Sequence, residues 1–101
     1  MEFEEKKGLL DKEKIINLPD TLFWKLCQDK YGVNKGIYNT IDLWFYNNGQ
    51  YKLITRRRLI INFLNFTQLN NHKKNMRLKF GHGGLSKKLD EFWKNNYKGN
   101  E

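Results

Sequence analysis

The stretch IYNTIDLWFYNNGQYKLIT, residues 37–55, decides the fold that the sequence predicts. Apolar residues alternate with polar or aromatic ones along it, so that Ile41, Leu43 and Phe45 share one side. A period of two with β-branched and aromatic residues is typical of a strand. The Asn48-Gly49 step is a strong signal for a two-residue hairpin turn, because type I′ turns need positive φ at both central residues. The stretch therefore predicts an antiparallel hairpin whose second strand is Tyr51–Thr55.

The segments on either side predict three helices and one further strand. Apolar residues recur at three- and four-residue steps over 21–31, where Gly32 is a natural C-cap. A second helix is predicted over 56–67 and a third after Ser86, whereas Met76–Phe80 alternates as a short strand. The predicted fold is thus a small α+β domain, in which the hairpin and the short third strand pack against about three helices.

The domain organisation follows from the length and composition. The chain has 101 residues, enough for one domain, and its aromatic content of 15% argues against intrinsic disorder. We expect residues 1–18 to form an N-terminal arm or weak helix and residues 19–101 a single compact domain. No apolar run is long enough for a membrane helix, and a single cysteine cannot form an internal disulfide. A cytoplasmic, reducing location is therefore expected.

The charge of the chain points to a polyanionic partner. The formal net charge is +8, but residues 1–20 carry −2, whereas residues 21–101 carry +10. The absence of alanine and the excess of lysine over arginine indicate an AT-rich bacterial or phage genome, which explains part of the lysine content. A basic body remains the usual electrostatic signature of nucleic-acid binding.

The sharpest local feature is the arginine triplet Arg56-Arg57-Arg58. If a helix begins after Thr55, the three cations crowd its positive end, an arrangement that an anion would stabilise. Guanidinium groups and free backbone N–H groups both favour phosphate. The alternative is that the stretch is still a strand with solvated arginines.

Two further basic segments extend the predicted interface. The loop Gly81–Gly84 feeds a helix whose first turn holds two lysines, although it matches neither the Walker nor the dinucleotide glycine pattern. The run from His72 to Lys79 is either a phosphate-binding edge or a charged edge strand. With the arginine triplet, the predicted nucleic-acid-binding residues are Arg56, Arg57, Arg58, Lys73, Lys74, Arg77, Lys79, His82, Lys87 and Lys88.

Aromatic side chains of the predicted hairpin offer a second mode of binding. Tyr38, Trp44, Tyr46 and Tyr51 fall opposite the aliphatic face of the hairpin. Such a surface resembles the platforms on which single-stranded bases stack, each stack contributing about 1–3 kcal/mol. The competing interpretation is that a helix covers these rings and makes them part of the core.

The sequence contains few residues in patterns that are typical of catalytic or metal-binding sites. The two histidines and one cysteine form none of the usual zinc motifs, and the acids outside the N-terminal segment are few and scattered. We therefore expect no enzyme activity, no metal and no cofactor. The sequence provides no sign of a small-molecule substrate.

These observations predict a small, non-enzymatic, basic nucleic-acid-binding protein. RNA or single strands are favoured over duplexes, because no predicted helix presents a base-reading face of Arg, Asn and Gln. One alternative is a phage-encoded anti-defence inhibitor, similar to an anti-CRISPR protein, that docks on a protein–RNA complex. A second is a metal-free, toxin-type ribonuclease using His82 beside the arginine triplet. The sequence leaves the oligomeric state open.

Overall fold

The architecture is all-helical over the residues that the structure, a computed structural model, describes: 12–70 and 84–96. The described elements are α1 (Lys12–Ile16), α2 (Asp20–Tyr31), α3 (Lys35–Gly49), α4 (Leu53–Asn70) and α5 (Gly84–Asn96). These residues contain no strand, so the predicted α+β fold is wrong. The predicted third strand, Met76–Phe80, lies outside the described residues.

The predicted hairpin is replaced by α3 and the first turn of α4. Asn34 caps α3, since its side-chain Oδ1 accepts a hydrogen bond of 2.9 Å from the backbone N–H of Ile37. Tyr38, Ile41 and Phe45 are buried at helical spacing. Leu43, which the strand pattern placed in the core, is 57% exposed. The alternating pattern did not distinguish a strand from a helix, because residues four positions apart, such as Ile41 and Phe45, lie on one side in both.

The Asn48-Gly49 step lies in the last turn of α3, not in a hairpin turn. The helix ends at Gln50, which has a left-handed backbone with φ of 51°. A side chain at position 49 would collide with the ring of Tyr51, which explains glycine there. The predicted hairpin turn is therefore wrong, and the chain passes from α3 to α4 through residues 50–52.

The three helices that the sequence predicts are present in the structure. The helix predicted over 21–31 is confirmed as α2, and Gly32 caps it with φ of 73° and N–H bonds toward the carbonyls of Cys27 and Gln28. The helix predicted over 56–67 is part of α4, which begins three residues earlier. The helix predicted after Ser86 corresponds to α5.

Helix α4 is the centre of the packing, with neighbours α1, α3 and α5. Its buried residues cover most of its circumference, as expected for a helix surrounded by others. They are Arg57, Leu59, Ile60, Ile61, Phe63, Leu64 and Thr67. Helix α2 packs on α3, and the Tyr31 hydroxyl donates a 2.6 Å hydrogen bond to Asn65 Oδ1 on α4.

Aromatic edge-to-face contacts fix α5 against α3 and α4. The ring of Phe92 lies 6.3 Å from Phe45 and 5.6 Å from Phe63, in both cases nearly perpendicular. Such geometry aligns positive ring edges with negative faces. It holds the neighbouring Trp93 at the outer end of the interface, beside Trp44.

Among the described helices, none has both the length and the apolar composition that crossing a membrane requires.

Candidate nucleic-acid interface

The middle arginine of the triplet is an interior side chain. Arg57 is 3% exposed, and its Nη1 donates to the carbonyl oxygen of Ile16 at 3.2 Å and to that of Leu18. Its Nη2 lies 3.3 Å from Asp20 Oδ1, and the guanidinium stacks 4.6 Å from the ring centre of Phe23. Arg57 therefore satisfies the carbonyl groups where α1 ends and the chain turns into α2.

Arg56 also has protein partners. Its Nε lies 2.8 Å from Asp42 Oδ1, its Nη1 donates to the Tyr51 carbonyl at 2.6 Å, and its guanidinium lies 5.0 Å from the Tyr46 ring centre. These contacts tie the start of α4 to the second half of α3. The third member, Arg58, is half-buried and has a partner within the fold as well.

The geometry of the triplet differs from the one that motivated a phosphate site. Because α4 begins at Leu53, the arginines lie in its second turn and not at the free N–H groups of its first turn. Two of the three guanidiniums already neutralise carboxylates, Asp42 and Asp20. Binding of phosphate by Arg56, Arg57 and Arg58 stays a prediction.

The remaining predicted basic residues divide between α5 and undescribed segments. Lys87 is exposed in the first turn of α5, and the half-buried Lys88 lies 3.9 Å from Glu91. The other five, Lys73, Lys74, Arg77, Lys79 and His82, lie outside the described residues.

The predicted stacking residues have three different environments. Tyr38 is buried between α2 and α3, with its ring 5.6 Å from Phe23. Burial raises the pKa of Tyr38 to about 12; the carboxylate of Asp42 adds to the rise and Arg57 opposes it.

The other three predicted stacking residues are more accessible. Tyr46 is 47% exposed, with the Arg56 guanidinium over its ring. Trp44 and Tyr51 are half-buried beside Trp93. The core interpretation thus holds for Tyr38, whereas Tyr46 remains accessible.

Sequence reasoning missed a groove between α3 and α5. It has a volume of about 480 Å³ and is lined by Trp44 and Asn48 from α3 and by Asp90, Trp93 and Lys94 from α5. The helical spacing of Trp44 and Asn48, and of Asp90 and Lys94, was visible in the sequence. Because residues 44 and 48 were assigned to a strand and a turn, their common face was not considered.

The described residues offer few groups for acid–base or metal chemistry. Within 12–70 and 84–96, no set of three or more His, Cys, Asp or Glu side chains is placed to hold a metal ion. Burial raises the pKa of the Cys27 thiol to about 12, although Arg57 opposes the rise. The thiol is therefore neutral near pH 7 and poorly nucleophilic.

Comparison with known proteins reveals one informative likeness. No protein-family model matches the chain, and no solved structure shows significant similarity to it. The chain is 43% identical, over 89 residues or 87% of its length, to the RNA-binding riboflavin kinase RibR of Bacillus subtilis (strain 168). The match spans 38% of the length of that relative.

This likeness contradicts the expectation that the protein is not an enzyme. The relative has a kinase activity in its name, so the absence of a catalytic pattern from these 101 residues was insufficient ground for excluding enzymes. The match covers 38% of that relative, so the name of the whole protein does not assign the kinase activity to the matched segment. The name also states that the relative binds RNA.

Proposed function

We propose that this chain is an RNA-binding helical module. The observation that carries the proposal is the 43% identity, over 87% of the chain, to a protein named for RNA binding. We infer that the matched segment corresponds to the RNA-binding part of that relative. The net charge of +8 supports this, since phosphate neutralisation dominates protein–nucleic acid affinity.

We assign the phosphate contacts mainly to the lysines at the start of α5 and the bases that precede them in the sequence. Lys87 and Lys88 are the fourth and fifth residues of α5, and residues 71–83 contain Lys73, Lys74, Arg77 and Lys79 without any acid. His82 is close to them in sequence. The guanidiniums of Arg56 and Arg57, in contrast, are already held by carboxylates and carbonyls within the fold. Their contribution to RNA binding is therefore indirect, through the position of α4.

A pair of matched double variants tests this assignment. K87Q/K88Q removes two positive charges from α5, and the control K25Q/K30Q removes two from the exposed surface of α2. Each lost phosphate contact should reduce the salt dependence of binding by about 0.7 in log–log slope. We expect K87Q/K88Q to weaken RNA binding several-fold and to lower the slope by more than one. Equal effects of the two variants in a filter-binding titration would show that the contacts are not concentrated at α5.

The comparison favours RNA binding over the other two functions that the sequence permitted. It provides no support for a phage-type inhibitor or for a toxin-type ribonuclease. The ribonuclease hypothesis also needed free arginines, whereas Arg56 and Arg57 are engaged in the fold. We place the binding in the cytoplasm, where RNA is accessible and a lone buried thiol such as Cys27 stays reduced.

A further inference from the structure

The groove between α3 and α5 has two aromatic walls at an angle. The indole rings of Trp44 and Trp93 have centroids 5.8 Å apart and planes inclined by 68°. They form a corner in which a planar ring can stack on one indole while its edge meets the other. The groove volume of about 480 Å³ exceeds that of a purine base.

Polar groups lie around this corner. Asp90 and Lys94 are one helical turn apart on α5, and both are exposed. An acid and a base at this spacing often form an ion pair. Within the described part of the chain, however, neither side chain has an ion-pair or hydrogen-bond partner. Across the groove, the Asn48 amide Nδ2 donates to the Trp44 carbonyl at 2.9 Å, which leaves the Asn48 Oδ1 free to accept.

We propose that this groove binds one unpaired guanine base of the RNA; the inference rests on the proposed RNA binding. The base stacks on the Trp44–Trp93 corner, where aromatic stacking is worth a substantial part of the affinity for a single nucleotide. The Asp90 carboxylate accepts hydrogen bonds from guanine N1–H and N2–H, and the Lys94 ammonium donates to O6. Guanine is the only standard base whose Watson–Crick edge has two adjacent donors, the pattern that a carboxylate accepts with both oxygens.

The same chemistry argues against a general charge-driven site. A groove that merely collected phosphates would be lined by cations, whereas this one has one anion and one cation. A carboxylate repels phosphate and is tolerated at an RNA surface when it reads base donors. Base specificity therefore lies in the groove between α3 and α5, whereas Lys87, Lys88 and the bases that precede α5 in the sequence supply the general affinity for phosphate.

The test compares short oligouridylates that contain one central guanosine, adenosine or inosine. Inosine lacks the N2 amino group but keeps N1–H and O6. We expect the full chain to bind the guanosine oligomer about tenfold more tightly than the adenosine one, with inosine in between, since bidentate contacts discriminate bases on this scale. D90N should abolish the preference. The control D29N makes the same substitution at an exposed position on α2, which does not line the groove, and should retain the preference.

A second readout locates the base without relying on affinity. The chain has three tryptophans, so ¹⁵N–¹H spectra resolve three indole N–H signals. The guanosine oligomer should shift those of Trp44 and Trp93 more than that of Trp24. RNA binding without guanine preference, or equal effects of D90N and D29N, would overturn the groove assignment and leave the proposed function standing. Failure to bind any of the oligomers, or a longer structured RNA, would overturn both.

Discussion

The guanidinium of Arg57 lies in the interior, where a charge is costly unless hydrogen bonds and an opposite charge compensate for it. It links three parts of the chain: the end of α1, the start of α2 and the second turn of α4. Removing the charge would leave the carbonyl groups of Ile16 and Leu18 without these donors.

We therefore predict that R57Q destabilises the fold by about 2–4 kcal/mol, the range for breaking a buried polar network. The exposed neighbour Lys52 provides the control, because K52Q should change stability by less than about 0.5 kcal/mol. Urea unfolding followed by circular dichroism measures both. If R57Q proved as stable as the unmodified chain while RNA affinity fell, Arg57 would be a binding residue and not a structural one.

The buried thiol of Cys27 and the buried phenols of Tyr31 and Tyr38 make the stability of the fold depend on pH above pH 9. Burial raises the pKa of Cys27 from 9.0 to about 12 and those of Tyr31 and Tyr38 from 10.0 to about 12. Because the folded state holds these protons more tightly than the unfolded state, their ionisation favours unfolding. Their stabilising effect is complete below pH 9 and is lost as the pH rises toward 12.

We accordingly predict that the free energy of unfolding falls steadily between pH 9 and pH 12. Denaturant titrations at several pH values in this interval provide the measurement. In C27S/Y31F the fall should begin nearer pH 10 and be shallower, since only Tyr38 of the three then ionises. An unchanged stability up to pH 12 in the unmodified chain would contradict the burial of these groups.

Helix α3 and its termination decide the arrangement of the neighbouring elements. Gln50 has a left-handed backbone, which costs a side-chain-bearing residue about 1 kcal/mol relative to glycine. We predict that Q50G stabilises the fold by up to about 1 kcal/mol. N47G, at an exposed position inside the helix, should instead destabilise it by a similar amount.

Thermal unfolding of the two glycine variants distinguishes the helical from the hairpin conformation. In a type I′ turn at Asn48-Gly49, residue 50 would be the first of the returning strand, and glycine there would weaken the fold. A lower melting temperature for Q50G than for the unmodified chain would therefore count against α3 as described.

The predictable part of the fold was the part with unambiguous local signals. Helix α2 has a clean apolar stripe followed by Gly32, and the sequence located it within a residue at its start. The segment 37–49 carries apolar residues on a pattern that fits periods of 2 and 3.6 alike, and its β-branched and aromatic content favoured the strand. The helix is the conformation that buries Tyr38, Ile41 and Phe45 together in the core.

The candidate site was predicted less well for the same reason. Exposure of an arginine depends on its position around a helix, and Arg57 faces inward although its neighbours are also arginines. The Trp44–Trp93 groove requires two helices to meet, one of which the sequence assigned to a sheet. Lys87 and Lys88 do lie in α5, although this helix begins at Gly84 and not after Ser86, and their binding of RNA stays a prediction.

The helices divide three tasks among them. Helix α4 supplies much of the core, and its residues Arg56 and Arg57 bond to groups within the fold. We propose that the lysines in and before α5 attract phosphate and that the groove between α3 and α5 recognises a base. This division predicts that most of the salt dependence of RNA binding comes from lysines and little from Arg56 and Arg57.

RNA binding by this chain is measured by an equilibrium titration with RNA over a range of salt concentrations. Five to six phosphate contacts on a single strand give a slope of roughly −4 in log K against log salt. We predict such a slope, together with tighter binding of a guanine-containing RNA than of polyphosphate at equal charge. The absence of binding at low salt, or equal affinity for RNA and polyphosphate, would contradict the claim that this chain is an RNA-binding module.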